Sequence, residues 1–229
     1  MRTVLITGAS RGIGRAIAEN LGRDSHILVG STTPEGADAV VKTLPSAEPF
    51  VVDLTDPDAV EAAVAKLDRV DAVVHSAGML ELAPIAEVTW KQWQDSFGLN
   101  LFAVAGLTKH LLPKLREARG TVVTINSGSG FHSGPNQALY SGTKYALRAF
   151  TDALRAEEAG HIRVTSVHPG RVNTEMQQAL RRAEGHADED YDGSQWAQPA
   201  SIADTVRTVL DLGEDATVPE IRVNPSGLA

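Results

Sequence analysis

The stretch TGASRGIGRAIA, Thr7–Ala18, follows the apolar run TVLIT and opens an alanine-rich segment. Gly8, Gly12 and Gly14 let the backbone turn tightly and approach a neighbour closely. A helix starting there presents unpaired N–H groups and the positive end of its dipole to an anion. Strand, glycine turn and helix in that order form a pyrophosphate cradle of the dinucleotide-binding kind, with Gly8, Ser10, Arg11, Gly12, Ile13 and Gly14 as its contacts. The plain alternative is that the glycines only end a strand. A P-loop is excluded, because Arg15 follows Gly14 where lysine and then serine or threonine are required.

Outward from this stretch, short apolar runs alternate with helical patterns. TVLIT, HILVG, PFVVD, DAVVHS, GTVVTIN, IRVTSVH and EIRV read as strands. Arg15–Leu21, Pro57–Leu67, Thr89–Arg116, Gln137–Glu158 and Ser201–Leu212 read as helices. Runs that are apolar on both faces and separated by helices predict an α/β fold, a doubly wound parallel sheet of about seven strands with helices on both faces. Residues 1–229 are expected to form one domain. Its irregular part is Arg171–Pro199, where TEMQQALRRA suggests a short helix before the polar run EGHADEDYDGSQ. A long polar insertion in a compact domain reads as a substrate lid or as a surface loop.

Composition excludes several classes. The formal charge of −8 disfavours nucleic acid and anionic membrane as main partners. The absence of cysteine rules out a disulfide, a thiol nucleophile and a thiolate metal site. The opening MRTVLITG lacks a secretory apolar region and no stretch approaches a membrane span, so a cytoplasmic location is expected. His75 and His132 could suggest a metal, but the histidines show no ligand spacing with carboxylates and no metal is expected.

The helical pattern YSGTKYALRAF, Tyr140–Phe150, carries a tyrosine and a lysine four residues apart. Tyr140 and Lys144 share a helix face, so phenol and ammonium can be held side by side. Alone, the pair could equally be a solvated face. With the glycine loop, His75–Gly78 (HSAG), Asn100, Ser127, YSGTK and His168–Thr174 (HPGRVNT) in order, the chain resembles the short-chain dehydrogenases/reductases in their single-domain branch. LVGSTTPEGA and NTEM are also similar to segments of bacterial 3-oxoacyl-carrier-protein reductases.

The resemblance implies a Rossmann-type oxidoreductase that moves hydride between a nicotinamide dinucleotide and a carbonyl or secondary alcohol. It implies Tyr140 as general acid or base, with Lys144 favouring the phenolate and bonding the nicotinamide ribose. It implies Ser127 as the donor to the substrate oxygen, with Ser129 as an alternative assignment, and Asn100 as the anchor of a water chain to the lysine. Pro169, Gly170, Val172 and Thr174 would meet the nicotinamide; Asp53 and Leu54 would meet the adenine, although Asp53 could instead cap the helix near Pro57. Ser76, Ala77 and Gly78 would lie at the ribose, with His75 and Ser76 replacing the family's two asparagines. Met79, Ser129, Phe131, His132, Met176, Leu180 and Trp196 are expected around the substrate. A homodimer or homotetramer is implied, while the terminal EIRVNPSGLA departs from the ending of many relatives. A dinucleotide-binding sensor or scaffold without turnover is the alternative of a different class.

NADP is expected over NAD. HILVG ends at Gly30, and Ser31 and Thr32 stand where an acid would otherwise accept bonds from the adenosine ribose. Arg11 brings a guanidinium to the same end, and the hydroxyls of Ser31 and Thr32 can donate to phosphate oxygens. Glu35 could supply the acid only from the first turn of the next helix. Aspartate in place of Gly30 should favour NADH if the backbone there tolerates a side chain.

Overall fold

Along β1 (Arg2–Ile6), Val4 and Ile6 face one side and Leu5 the other, and all three are fully buried. Side chains alternate along a strand, so burial of both sets requires cover on both faces. The computed structural model, which describes residues 1–227, supplies it. Val4 and Ile6 pack with Ile17 and Leu21 of α1 (Gly12–Leu21) and with Ile202 and Val206 of α8 (Pro199–Leu210). Leu5 packs with Val60 and Val64 of α3 (Pro57–Ala65), Leu107 and Leu111 of α5 (Ala103–Glu117) and Leu154 of α6 (Ala138–Glu157). Helices as short as α1 are marginal alone, whereas burying one leucine or isoleucine contributes about 1.5–3 kcal/mol. Packing on the sheet therefore holds them.

The other strands are β2 (Ser25–Ser31), β3 (Ala47–Val51), β4 (Ala72–His75), β5 (Thr121–Ile125), β6 (Arg163–Pro169) and β7 (Glu220–Val223). They form one seven-stranded sheet in the order β3-β2-β1-β4-β5-β6-β7, with every pairing parallel. Each overlaps an apolar run of the sequence, β3 starting and ending two residues before PFVVD. The order reverses between β1 and β4, which opens a crevice above their carboxyl ends, where ligands of doubly wound sheets bind.

Three local features differ from or refine the sequence reading. The expected helix Thr89–Arg116 is broken into α4 (Trp90–Phe97), a π-helical turn at Gly98–Phe102 and α5. Such turns insert a residue into the helical repeat and redirect a side chain, here that of Asn100. Next, α2 (Pro34–Val41) starts from Thr33, whose hydroxyl accepts from Gly36 N, and Glu35 lies in its first turn. Finally, α3 is capped by Asp56, which accepts from the Asp58 and Ala59 N–H groups. Asp53 is thus released from the capping role left open for it. No helix among the described residues is long and apolar enough to cross a membrane. Of the terminal stretch, Leu228 and Ala229 lie outside the described residues.

Candidate active site

The glycine loop is shaped by contacts that no side chain could share. Gly8 has φ +63°, and a Cβ there would sit 2.8 Å from Ala77 Cα; a Cβ on Gly14 would sit 2.3 Å from Gly8 O. The loops after β1 and β4 consequently touch backbone to backbone, pinned by Thr7 Oγ1, which accepts from Ser76 N and Ala77 N at 3.0 Å each. Arg11, at the amino-terminal boundary of α1, is extended and forms no side-chain cap. The first-turn N–H groups of α1 are left uncapped beside a cradle that a Cβ would fill, which fits a diphosphate.

A cavity of about 870 Å³ runs from this cradle along the crevice. One end is walled by Ser10, Arg11, Ser31, Thr32, Asp53 and Leu54, and the middle by Gly12, Ile13, Ser76, Ala77 and Gly78. Further along lie Tyr140, Lys144, Pro169, Gly170, Val172 and Thr174; beyond them the wall is mostly apolar, with Met79, Leu80, Leu82, Leu99, Met176 and Leu180 beside Ser129. Asp53 accepts from Thr55 N and Thr55 Oγ1 at 2.9 and 2.7 Å, which holds its carboxyl below the usual range.

Tyr140 and Lys144 stand one turn apart on α6, on the inward face that Leu147 and Leu154 continue into the core. Lys144 is buried; its Nζ donates to Ile125 O at 3.2 Å and lies 5.7 Å from the Tyr140 ring centroid. Burial lowers the Lys144 pKa to about 8. Burial likewise pushes the Tyr140 phenol above its ordinary value, while a hydrogen bond from Ser127 acts in the opposite direction. Desolvation is the larger of the two effects on the phenol, and the Lys144 ammonium is engaged by the Ile125 carbonyl. With its pKa raised, the Tyr140 phenol is neutral at ordinary pH.

Ser127 lies two residues beyond β5 in extended backbone, with Oγ accepting from Ser129 N at 3.1 Å. Its own N–H donates to Asn126 Oδ1 at 2.9 Å, and Asn126 Nδ2 donates to Lys144 O at 3.3 Å. Asn126 thereby ties the serine loop to the helix carrying the lysine, a link that sequence reasoning missed. Asn100 does not line the cavity but stands behind it. Its Oδ1 accepts from Met79 N and its Nδ2 donates to Met79 O, each at 2.9 Å, and the Nδ2 also donates to Thr143 Oγ1 at 3.0 Å.

Three residues expected at the substrate are elsewhere. Phe131 follows the 3-10 turn Gly128–Gly130 and turns away from the cavity, its ring between the guanidiniums of Arg148 and Arg222 at 4.2 and 3.6 Å and against His168 at 4.5 Å. His132, next to it, is exposed and also outside the cavity wall. Trp196 packs under the Arg171 guanidinium, 5.3 Å from its ring, rather than facing the cavity. Gln137, one turn before Tyr140, and Gln177 of α7 (Glu175–Ala183) line the cavity instead. The i, i+3 spacing from Tyr140 was the one available signal for Gln137.

His75 is buried, with Nε2 2.9 Å from Thr108 Oγ1, and burial drops its pKa to about 3. It stays neutral and braces the end of β4 against α5. No group of three or more His, Cys, Asp or Glu among the described residues could hold a metal ion.

The comparisons agree with this geometry. The profile of the family described as short chain dehydrogenase matches residues 2–185. A serine 3-dehydrogenase of Agrobacterium fabrum is 32% identical over 97% of this chain and 93% of its own. Human L-xylulose reductase is 35% identical over 96% of this chain and 85% of its own. Among solved structures, a putative NAD(P)-dependent gluconate 5-dehydrogenase from Beutenbergia cavernae with bound NADP superposes with a TM-score of 0.85 at 32% identity, covering 99% of this chain and 96% of that one. With its glycine cradle, parallel sheet and tyrosine–lysine helix, the chain belongs to the short-chain dehydrogenase/reductase family and is an oxidoreductase.

Proposed function

We propose that the protein is an NADP-preferring carbonyl reductase or alcohol dehydrogenase in which Tyr140, Lys144, Ser127 and Asn100 form the reacting centre. The observation that carries this reading is the half-buried Tyr140 on the cavity wall, one helical turn from the buried Lys144 and beside Ser127. The dinucleotide, when bound, supplies or accepts the hydride. Tyr140 donates its phenolic proton to the carbonyl oxygen, and the Ser127 hydroxyl donates a hydrogen bond to the same oxygen as charge builds there. The Lys144 ammonium stabilises the phenolate left behind. Asn100 holds the Met79 backbone and Thr143 in place, so that the floor of the site does not shift.

The test is a screen of L-xylulose, 2,3-butanedione and benzaldehyde, following NADPH absorbance. Reduction should proceed near neutrality and decline as pH rises through about 8, where Lys144 loses its proton. Dinucleotide binding with no turnover of any carbonyl compound would replace this reading by the sensor or scaffold; a rate still rising well above pH 8 would remove Lys144 from its role.

Residues 171–199 act as a lid over the substrate. The segment carries α7, starts at the cavity with Arg171, Val172 and Thr174, and is closed on itself by the Val172–Ala197 bridge and the Tyr191 hydroxyl donating to Asn173 at 2.9 Å. Amide exchange there should slow when NADP and a substrate analogue are both bound. Equal exchange in the free and doubly bound protein would count against a lid. Assembly into a homodimer or homotetramer is supported by Trp90, Phe102 and Tyr145, exposed aromatics at 75%, 63% and 45% on α4, the π turn and α6. Exposed aromatic surface of this kind marks an association face. The soluble partner of the site itself is a small carbonyl or alcohol.

A further inference from the structure

Behind Ser127, on the side away from the cavity, the structure holds a buried polar cluster that the proposed reaction does not use. His168, on β6, has a fully buried side chain, and its Nδ1 lies 3.1 Å from the Ser127 carbonyl oxygen. A carbonyl only accepts, so the ring proton sits on Nδ1. Burial keeps the imidazole neutral at ordinary pH. The same carbonyl also accepts from Gly130 N at 3.0 Å, so both of its lone pairs are engaged.

The far side of the ring carries no bond, because Nε2 is then an acceptor and faces another acceptor. Nε2 lies 3.5 Å from Glu220 Oε2 on β7 and makes no hydrogen bond of its own. Glu220 accepts from Arg148 Nε at 3.2 Å, and Arg148 is one turn beyond Lys144 on α6. Phe131 closes the cluster against the imidazole face, its ring between Arg148 and Arg222. The loop after β5, β6 and the Phe131 ring thus meet at one imidazole beneath the serine, with Glu220 of β7 and Arg148 of α6 at its outer edge.

We propose that His168 is a positioning residue: its Nδ1–H bond to the Ser127 carbonyl, held by burial of the ring against Phe131, fixes the serine backbone so that the hydroxyl stays directed at Tyr140. The proposal rests on Ser127 acting at the substrate oxygen. His168 touches neither substrate nor cofactor. Its loss acts through Ser127 on the rate, leaving the cradle, Arg11 and Thr174 as they were, so kcat should fall while the KM for NADPH holds.

Two substitutions separate the ring nitrogens. The amide of His168→Asn can reach the Nδ1 position and keep the bond to Ser127, whereas that of His168→Gln reaches toward Nε2 and Glu220. With whichever of L-xylulose, 2,3-butanedione or benzaldehyde is turned over fastest, His168→Gln should lower kcat about tenfold and His168→Asn less than about threefold, both with an NADPH KM within about twofold of wild type. In a Ser127→Ala background, His168→Gln should change kcat by less than about twofold, because residues acting through one another are not additive. A purely structural histidine would lower kcat equally in both backgrounds and in both substitutions; either result overturns the proposal. If His168→Gln does not fold, His168→Leu, which fills the space without a donor, takes its place in the cycle: a fall of about tenfold that vanishes in the Ser127→Ala background supports the proposal, and an additive fall or none overturns it. Wild-type kcat in Ser127→Ala alone would instead sink the reading of the site itself.

Discussion

Replacing Tyr140 with phenylalanine should lower turnover of any carbonyl substrate by about 10²–10⁴-fold, the range attributed to a positioned general acid. That corresponds to about 2.7–5.5 kcal/mol of transition-state stabilisation. The substitution removes one oxygen and its proton from a ring of otherwise unchanged shape. The helix has no reason to move: Thr143 Oγ1 donates to the Tyr140 backbone carbonyl at 2.7 Å, a bond that phenylalanine preserves, and Lys144 keeps its bond to Ile125 O. The diphosphate cradle at Gly8–Gly14 lies on a different loop. NADPH affinity, measured by titration, should therefore stay within about twofold of wild type, the few tenths of a kcal/mol expected at a site the change does not touch. Near-native turnover in the variant would remove the general-acid role from Tyr140; lost dinucleotide affinity would instead show that the phenol is mainly a binding group.

Much of the fold, and the cavity-lining part of the site, was legible in the sequence because the governing physics is local. Seven apolar runs become seven strands; the five inner ones are the clearest, since a strand covered on both faces needs apolar residues at successive positions, while the edge strands β3 and β7 are only partly buried. The glycine loop is legible because Gly8 needs a positive φ and Gly14 a missing Cβ, demands that one residue type meets. Tyr140 and Lys144 are legible because helical spacing alone places them on one face.

The misreadings are where a distant element decides. Phe131 was expected at the substrate because it follows the serine loop, yet its ring is taken up by Arg148 and Arg222, 17 and 91 residues later in the chain. The π turn at Gly98–Phe102 leaves no periodic trace, since it lies between two ordinary helical segments; it is Asn100, bonded to Met79 and Thr143, that gives it a structural purpose. Proximity in sequence fixes the Tyr140–Lys144 pair, whereas the burial that acts on both groups comes from the assembled fold.

Removing the Arg11 side chain should change cofactor choice more than any other substitution at the adenosine end. Arg11 lines that end of the cavity with Ser31 and Thr32, and its guanidinium now rests 3.3 Å from Glu175. Both partners of that ion pair are about three-quarters exposed, at 77% and 74%. An exposed pair of this kind contributes about 0–1 kcal/mol, whereas a charged hydrogen bond to phosphate contributes about 1.5–3 kcal/mol, so a 2′-phosphate should win the arginine from the glutamate. Arg11→Ala should accordingly weaken NADPH by about ten- to a hundredfold and leave NADH nearly unchanged. Aspartate at Gly30, the substitution the sequence suggested for the opposite shift, is disallowed by the structure: a Cβ there would sit 2.5 Å from Ile6 O and 2.9 Å from Thr7 Cα, both backbone atoms of the adjoining strand end. Ser31→Asp is the usable replacement. Ser31 already carries a side chain on the cavity wall, with Oγ accepting from Thr33 N at 3.2 Å, and a carboxylate there would repel a phosphate while accepting bonds from ribose hydroxyls. The measurement is kcat/KM with NADPH and NADH for wild type, Arg11→Ala and Ser31→Asp. The NADPH-to-NADH ratio should fall in both variants, through weaker attraction in the first and through repulsion in the second. A wild type that prefers NADH, or an Arg11→Ala variant with an unchanged ratio, would assign the arginine to its glutamate and leave the phosphate without a partner.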